Sequence, residues 1–172
     1  MSFRLSQFLI VAMAALSIPG AASAAHVAAA TPATDKATIL HPLTLLKTAD
    51  LLFGTLIVNG AGTAVVNPVS DVETTTGGVV MAGGGPHSAS FTGGATGLSL
   101  IYVQQPQTAI TLTHTNGTTT MTANNFTLQN GNFYLTTAVG TFSFRVGATL
   151  TVAAGQLDGL YTGTFNVDAY YF

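Results

Sequence analysis

The side chains that most often do chemistry are few in this chain and stand far apart. No two of its four histidines have the His-x-x-x-His spacing of a metal site, and the chain contains no cysteine. We therefore interpret the histidines as polar groups of strands or loops rather than as metal ligands: His26, His41, His87 and His114.

Two carboxylates, Asp71 and Glu73, are spaced so that they would share one face of a β-strand. A calcium site draws more oxygen ligands than this from a tight loop, so the pair is interpreted as a solvated turn. The Gly83–Pro86 stretch lacks the Lys-Ser/Thr of a phosphate loop, and no Gly-x-Ser-x-Gly motif occurs. The sequence thus predicts a protein that is not an enzyme and that has no catalytic residue, metal or cofactor.

The composition narrows the possible partners. Charged residues make up only 6% of the 172 residues, against about 25% in ordinary soluble domains. The four basic residues do not cluster, which argues against nucleic acid because phosphate binding needs grouped Lys and Arg side chains. They are Arg4, Lys36, Lys47 and Arg145. Without cysteine there is no disulfide framework, so burial and strand pairing must hold the fold together.

The N-terminus has the pattern of an export signal. A basic Arg4 precedes an apolar run from Phe8 to Ile18, and a small-x-small cleavage site ends at Ala24. The apolar run is shorter than the ~20 residues that span a membrane. We predict a signal peptide over 1–24, a flexible leader over 25–37 and a single domain over 38–172. Such a protein would be exported across the inner membrane and be periplasmic, on the cell surface or extracellular.

The rest of the chain has the periodicity of β-strands. In TFSFRVGATLTV, residues 141–152, every apolar side chain from Phe142 to Val152 falls on one parity, which a helix of 3.6 residues per turn does not produce. Short runs rich in Thr, Val and Ile alternate with turn signals, and Asn-Gly pairs at 59–60, 116–117 and 130–131 predict hairpin turns. This pattern indicates an all-β, antiparallel sandwich or barrel.

The last fourteen residues, GLYTGTFNVDAYYF, alternate over a length about twice that of a common strand. We predict a C-terminal strand with its apolar face turned inward and its polar face in solvent. The inward face would consist of Tyr161, Gly163, Phe165, Val167, Ala169 and Tyr171.

Three stretches together resemble a family of small secreted proteins of Gram-negative bacteria, the "domain of unknown function 4402". They are LTLLKTADLLFGTLIV (43–58), TTGGVVMAGGGPHSASF (75–91) and VGATLTVAAGQLDGLYTGTFNVDAYYF (146–172). The resemblance covers most of residues 39–172, with its distinctive features in the first and last stretches. The family has no agreed activity, so the resemblance implies no function.

The C-terminal stretch is also similar to the tail of pilin subunits assembled by the chaperone–usher route. Such tails have alternating apolar residues, a penultimate Tyr, here Tyr171, and a Gly fourteen places from the end, here Gly159. Many such pilins carry a disulfide, which this chain cannot form. The resemblance implies an immunoglobulin-like sandwich that lacks one strand, with identical subunits or a periplasmic chaperone as partners.

In a pilin, an extended segment of a neighbouring subunit fills the gap. The candidate donor is the stretch KATILHPLTLLK, residues 36–47. One set of its alternate side chains could fill such a gap, although Pro42 lacks an N–H and belongs at an edge or bulge. These side chains are Ile39, His41, Leu43 and Leu45. The alternative is that this segment is the first strand of its own domain.

The favoured function is therefore a secreted structural or adhesive protein, such as a fimbria-like subunit that uses strand addition. A self-contained binding module, for instance for carbohydrate, is the alternative, with a stacking platform drawn from five tyrosines. They are Tyr102, Tyr134, Tyr161, Tyr170 and Tyr171, most of them on parities typical of core. A small outer-membrane barrel is disfavoured, because lipid-facing positions counted back from Phe172 soon reach Asp168 and Asn166.

Overall fold

The computed structural model describes residues 36–172, so the predicted signal peptide and nearly all of the predicted leader lie outside the described residues. This part of the chain folds into β-strands and contains no helix, and therefore none of the length and apolarity needed to cross a membrane. The strands are β1 (Thr44–Ala49), β2 (Thr55–Asn67), β3 (Val72–Gly83), β4 (Ala89–Gly94), β5 (Leu100–Gln104), β6 (Ile110–His114), β7 (Thr120–Leu128), β8 (Phe133–Leu135), β9 (Thr141–Val152), β10 (Tyr161–Thr162) and β11 (Asp168–Tyr171).

The long strand β9 is the centre of the larger sheet, which has eight strands, all antiparallel. One edge of β9 pairs with β4 along its first half and with β2 along its second half, while the other edge pairs with β7. Gly147 lies where the first edge passes from β4 to β2, and a Cβ there would approach the Val66 carbonyl oxygen to 2.1 Å. This close approach explains why a strand rich in β-branched and aromatic residues carries a glycine at this point.

The even-numbered side chains of β9 form the middle of the core. Phe144 is 2% exposed, and its ring lies 5.2 Å from that of Phe91 and 5.3 Å from that of Tyr134, measured between centroids. Tyr134 belongs to the smaller sheet, whose order is β11-β5-β8 and whose inner face also buries Ile101 and Val103. Two antiparallel sheets therefore pack face to face, and the predicted all-β antiparallel sandwich is confirmed.

The turn predictions had mixed outcomes. Asn116–Gly117 connects β6 to β7 in a hairpin as predicted, with Gly117 at a φ of 79°. Asn130–Gly131 is a turn, but it connects strands of different sheets. The prediction for Asn59–Gly60 is wrong, because these residues lie inside β2 in an irregularity opposite Gly77 and Gly78. Gly60 and Gly62 on β2 face Gly78 and Gly77 on β3, which lets the backbones approach closely, and the Asn-Gly signal alone does not distinguish this from a turn.

The β9 core makes a direct prediction about stability. We expect Phe144→Ala to lower the free energy of unfolding by about 3–5 kcal/mol, because it leaves a cavity among stacked rings. Urea denaturation of the purified protein measures this, with the adjacent Ser143→Ala as control. Ser143 is exposed on the other face, so its substitution should change stability by less than about 0.5 kcal/mol. Equal losses for both variants would contradict the burial pattern of β9.

Candidate functional site

An open groove of about 1320 Å³ lies on the inner face of the larger sheet. Its floor consists of inward-facing side chains of five strands, namely Leu45, Ala89, Phe91, Ile110, Leu112, Met121, Ala123, Phe126 and Leu150. One wall is formed by residues 51–58 and is called the first wall. The other is formed by residues 156–168 and, together with its continuation through β11 to Tyr171, is called the tail wall. The groove is thus the part of the sandwich where the smaller sheet does not extend over the larger one.

The lining of the groove is apolar but only partly covered. Several large side chains pack against the buried core and yet remain half-buried, unlike their neighbours beneath the three-stranded sheet. They are Leu45, Leu51, Phe53, Leu56, Val58, Ile110, Leu112, Met121, Phe165 and Val167. Burying one such side chain completely is worth about 1.5–3 kcal/mol. A segment that covered them would therefore gain a large hydrophobic stabilisation.

In the first wall Leu52 is bridged to His87, but the following residues, at the start of β2, lack strand partners on the side away from β3. β2 pairs with β3 from Thr55 to Asn67, but with β9 only from Gly62 to Val66. The second edge of Thr55–Asn59 is consequently free within the part of the chain that the structure describes. Sequence reasoning did not find this wall. The signal available for it was the alternation of Leu51 and Phe53, broken at Gly54, which adopts a φ of 67°.

The tail wall is also incompletely paired. The predicted single C-terminal strand is interrupted, because β10 pairs with β6 in the larger sheet and β11 pairs with β5 in the smaller one. Residues 163–167 run between the two sheets outside any ladder. Phe165 is held there by its side chain, whose ring lies 5.1 Å from that of Phe126 on the floor. β11 is itself an edge strand, so the tail wall offers free backbone groups toward a further strand.

The near end of the tail wall is fixed around His114. The His114 Nε2 atom lies 3.0 Å from the Asp158 carbonyl oxygen, and the imidazole meets the Tyr161 ring edge-on at 4.8 Å. The Tyr161 hydroxyl donates to the Leu157 carbonyl oxygen at 2.7 Å and accepts from Gln156 at 2.8 Å. Gly159 has a φ of 134°, and a Cβ on it would lie 2.1 Å from His114 Nε2. Only glycine fits at this position.

The far end of the tail wall is fixed by the Tyr171 hydroxyl. It donates to the His41 carbonyl oxygen at 2.6 Å and accepts from the Thr96 N–H at 2.7 Å. Tyr171 thereby connects the last strand to the loop after β4 and to the segment before β1. The two residues that suggested a pilin-like tail, Gly159 and Tyr171, thus have distinct roles at opposite ends of the tail wall.

The predicted inward face of the tail lies toward the core. Its members are half-buried except for Gly163, which is exposed, and the residues of the opposite parity are exposed throughout. The half-buried members are Tyr161, Phe165, Val167, Ala169 and Tyr171. Their incomplete burial follows from the groove that lies beside them.

The candidate donor segment is divided in the structure. Leu43 and Leu45 are half-buried against the core, and β1 pairs with β4 at the edge of the larger sheet. Ile39 is 92% exposed and His41 is also exposed, in a stretch before β1 that forms no strand. The segment is thus a first strand of its own domain preceded by an exposed apolar extension.

The two carboxylates predicted to share a solvated turn, Asp71 and Glu73, lie in different environments. Asp71 does lie in the turn between β2 and β3, where its Oδ1 accepts from the Ser88 hydroxyl at 2.5 Å and from the Ser88 N–H at 2.8 Å. These hydrogen bonds lower the pKa of Asp71, and Arg145 at 3.7 Å acts in the same direction. Across residues 36–172, no group of three His, Asp or Glu side chains comes together as a metal site would require.

For Glu73 the solvated-turn prediction is wrong. The residue lies on β3 opposite Val66, 6% exposed, and neither carboxylate oxygen has a hydrogen-bond partner. Burial raises the pKa of Glu73, because the charged form loses its hydration without gaining a partner. The sequence did not reveal this, since Glu73 lies between exposed residues of a strand that alternates weakly.

The fold and the groove define a class: an antiparallel β-sandwich whose second layer is interrupted by an apolar cleft with unpaired strand edges on both sides. Residues 43–171 match the family described as "Domain of unknown function (DUF4402)". The match spans well over half of the chain, so the chain belongs to this family, as the sequence resemblance predicted. No curated protein and no solved structure matches the chain. The family description says nothing of assembly, so the similarity of the tail to pilin subunits stays a prediction.

The packing around Gly159 predicts a specific sensitivity. We expect Gly159→Ala to cost about 2 kcal/mol or more, because the new methyl group would displace His114 as well as strain the backbone. Gly155→Ala is the matched control, since Gly155 also has a positive φ, of 67°, but no atom within 4 Å of its Cβ position. That variant should lose only about 1 kcal/mol from backbone strain. Thermal and urea unfolding measure how much stability each variant loses. Similar losses in the two variants would show that the contact with His114 is unimportant.

The burial of Glu73 predicts an unusual dependence of stability on pH. A carboxylate with a raised folded-state pKa costs no stability below the unfolded pKa, near 4.5, and an increasing amount as the pH rises above it. Glu73→Gln should therefore stabilise the protein at pH 7 by about 1 kcal/mol, with the gain disappearing toward pH 4. Urea unfolding between pH 4 and pH 8 tests this, with the exposed Asp50→Asn as control. A loss of stability in Glu73→Gln at pH 7 would mean that the native carboxylate is paired.

Proposed function

We propose that this protein is an exported, non-enzymatic structural subunit that accepts an extended segment of another polypeptide in its groove. The observation that carries the proposal is the coincidence of three features at one place: half-buried apolar side chains in the lining of the groove, a free edge of β2 and the unpaired stretch 163–167. An added strand satisfies all three at once. Main-chain hydrogen bonds would join it to the walls, and alternate side chains would cover the floor.

The size of the groove supports a peptide rather than a small molecule as its occupant. Clefts for small ligands usually enclose about 300–1,000 Å³, and this one is larger, at about 1320 Å³. Its walls are two long continuous runs of the chain, residues 51–58 and 156–168. An inserted strand would join the smaller sheet and the free end of β2 into one continuous second layer.

The occupant that we propose is residues 36–47 of a second copy. In the structure the first part of this segment has no strand partner, and Ile39 is 92% exposed. β1, its second part, is an edge strand whose ladder involves β4 alone. To occupy a neighbour's groove the segment would give up this ladder, the packing of Leu43 and Leu45 on its own core, and the hydrogen bonds of His41 with Tyr171 and Thr96. Export is supported by the signal-like residues 1–24, and the low charge suits a protein that assembles rather than one that stays dispersed.

Strand addition can be tested with a synthetic peptide of residues 36–47, KATILHPLTLLK. We expect it to bind the protein purified from expressing cells and to slow hydrogen exchange of the amides of residues 163–167 at least about tenfold. A peptide carrying Ile39→Asp and Leu43→Asp is the control, because it keeps the length but places charges on the inserted face. The amides of residues 143–150, already paired within the larger sheet, should not change.

Two results would overturn the proposal. One is slow exchange of residues 163–167 in a monomer without peptide, since it would mean that these amides are already hydrogen-bonded. The other is equal binding of both peptides, since the apolar face would then not be inserted. Sedimentation over a range of concentrations reports in parallel whether the whole chain forms oligomers that persist on dilution.

A further inference from the structure

The outer face of the smaller sheet carries six large side chains in two rows. Strand register places Tyr170, Tyr102 and Phe133 directly opposite one another across β11, β5 and β8. The next row consists of Phe172, Leu100 and Leu135, since the Phe172 N–H donates to the Leu100 carbonyl oxygen and Leu100 is opposite Leu135. These six residues are called the aromatic platform. They lie on the opposite side of the sheet from the core and the groove.

The platform is exposed and internally ordered. Tyr170 is 52% exposed, Phe133 49% and Phe172 79%. Phe133 is in edge contact with both of its aromatic neighbours, at centroid distances of 5.3 Å to Tyr102 and 4.9 Å to Phe172. Contiguous exposed apolar side chains of this kind mark interaction sites on soluble proteins. Rings held by mutual contact lose little conformational freedom when they bind.

A polar row borders the platform along the same face. Asp168 is opposite Gln104, and the two residues lie two positions along their strands from Tyr170 and Tyr102, on the same face. Their side chains offer a carboxylate and an amide beside the rings. No lysine or arginine occurs in the three strands, so the platform has no attraction for phosphate, sulfate or an acidic surface.

We infer that the aromatic platform binds a neutral glycan, with pyranose rings stacked on the aromatic side chains and hydroxyl groups hydrogen-bonded to Asp168 and Gln104. The axial C–H groups of a pyranose form an apolar face that packs on an aromatic ring, and its hydroxyl groups need donors and acceptors at the rim. The platform supplies both within three adjacent strands. This inference does not depend on strand addition, because the rings lie on the opposite face of the sheet and Asp168 is the one platform contact that also lines the groove.

The area of the platform argues against a second copy of the chain as its occupant. Six partly exposed side chains supply on the order of 500 Å², given ~150–250 Å² for a whole aromatic side chain. A stable protein interface needs about 800 Å² from each partner. The area of the platform is, however, large enough to cover a few sugar rings.

The test is calorimetric titration of the whole purified protein with cellohexaose, maltohexaose, laminarihexaose and chitohexaose. We expect at least one to bind, and Tyr170→Ala and Phe133→Ala each to weaken that binding about fivefold, the contribution of one aromatic contact. Asp168→Asn should weaken it through the hydrogen bonds alone. Val69→Ala is the control, since Val69 is 62% exposed in the turn between β2 and β3, outside the platform, and it should bind as the unchanged protein does. Unchanged melting temperatures show that each variant is folded.

Three results would overturn the inference. The first is no binding of any hexasaccharide by the folded protein, and the second is unchanged binding in both Tyr170→Ala and Phe133→Ala. The third is a dimer that Tyr170→Ala dissociates in sedimentation, which would assign the platform to a protein partner. Capture of the peptide of residues 36–47, measured on the same variants, reports on the groove separately, so either proposal can fail without the other.

Discussion

Everything in this fold depends on the pairing of one strand, β9, whose two edges hold three other strands and whose single apolar face provides the middle of the core. With few charges and no cysteine, the chain has no other means of holding its sheets together. The larger sheet is built outward from β9 until its inner face is wider than the smaller sheet can cover. The groove is the direct consequence of this difference in width.

The smaller sheet therefore covers one part of the larger sheet and leaves another part uncovered. Beneath β5, β8 and β11 the even-numbered side chains of β9 are buried, the Phe144 ring stacks on that of Phe91, and the Tyr134 ring packs against it at a tilt. Beyond β11 four residues of the floor, Leu45, Ile110, Leu112 and Met121, are half-buried, and both walls contain unpaired backbone. A protein that folds alone normally protects such edges with charges, proline or a covering loop. Here the apolar lining and the free edges occur together, which is why an added strand explains both better than a small ligand does.

Sequence periodicity predicted the parts of the structure that local chemistry determines. The alternation of residues 141–152 and of the tail was sufficient for the fold class and for the orientation of Phe165 and Val167. It was insufficient where two distant segments decide the outcome. Asn59–Gly60 looks like a turn but lies in a strand because Gly77 and Gly78 approach it, and Glu73 looks solvated but is buried opposite Val66. The groove belongs to this second kind, since its walls are far apart in the chain and no local pattern shows that their edges are free.

The hydrogen bonds of Tyr171 have a consequence for mechanical load. Its hydroxyl joins the last strand to the His41 carbonyl, so the segment before β1 and the tail are attached to each other as well as to the sheet. A pulling force applied to the chain ahead of residue 41 would reach β11 through this phenol before it separated β1 from β4. The tension would then be shared between β1 in the larger sheet and β11 in the smaller one.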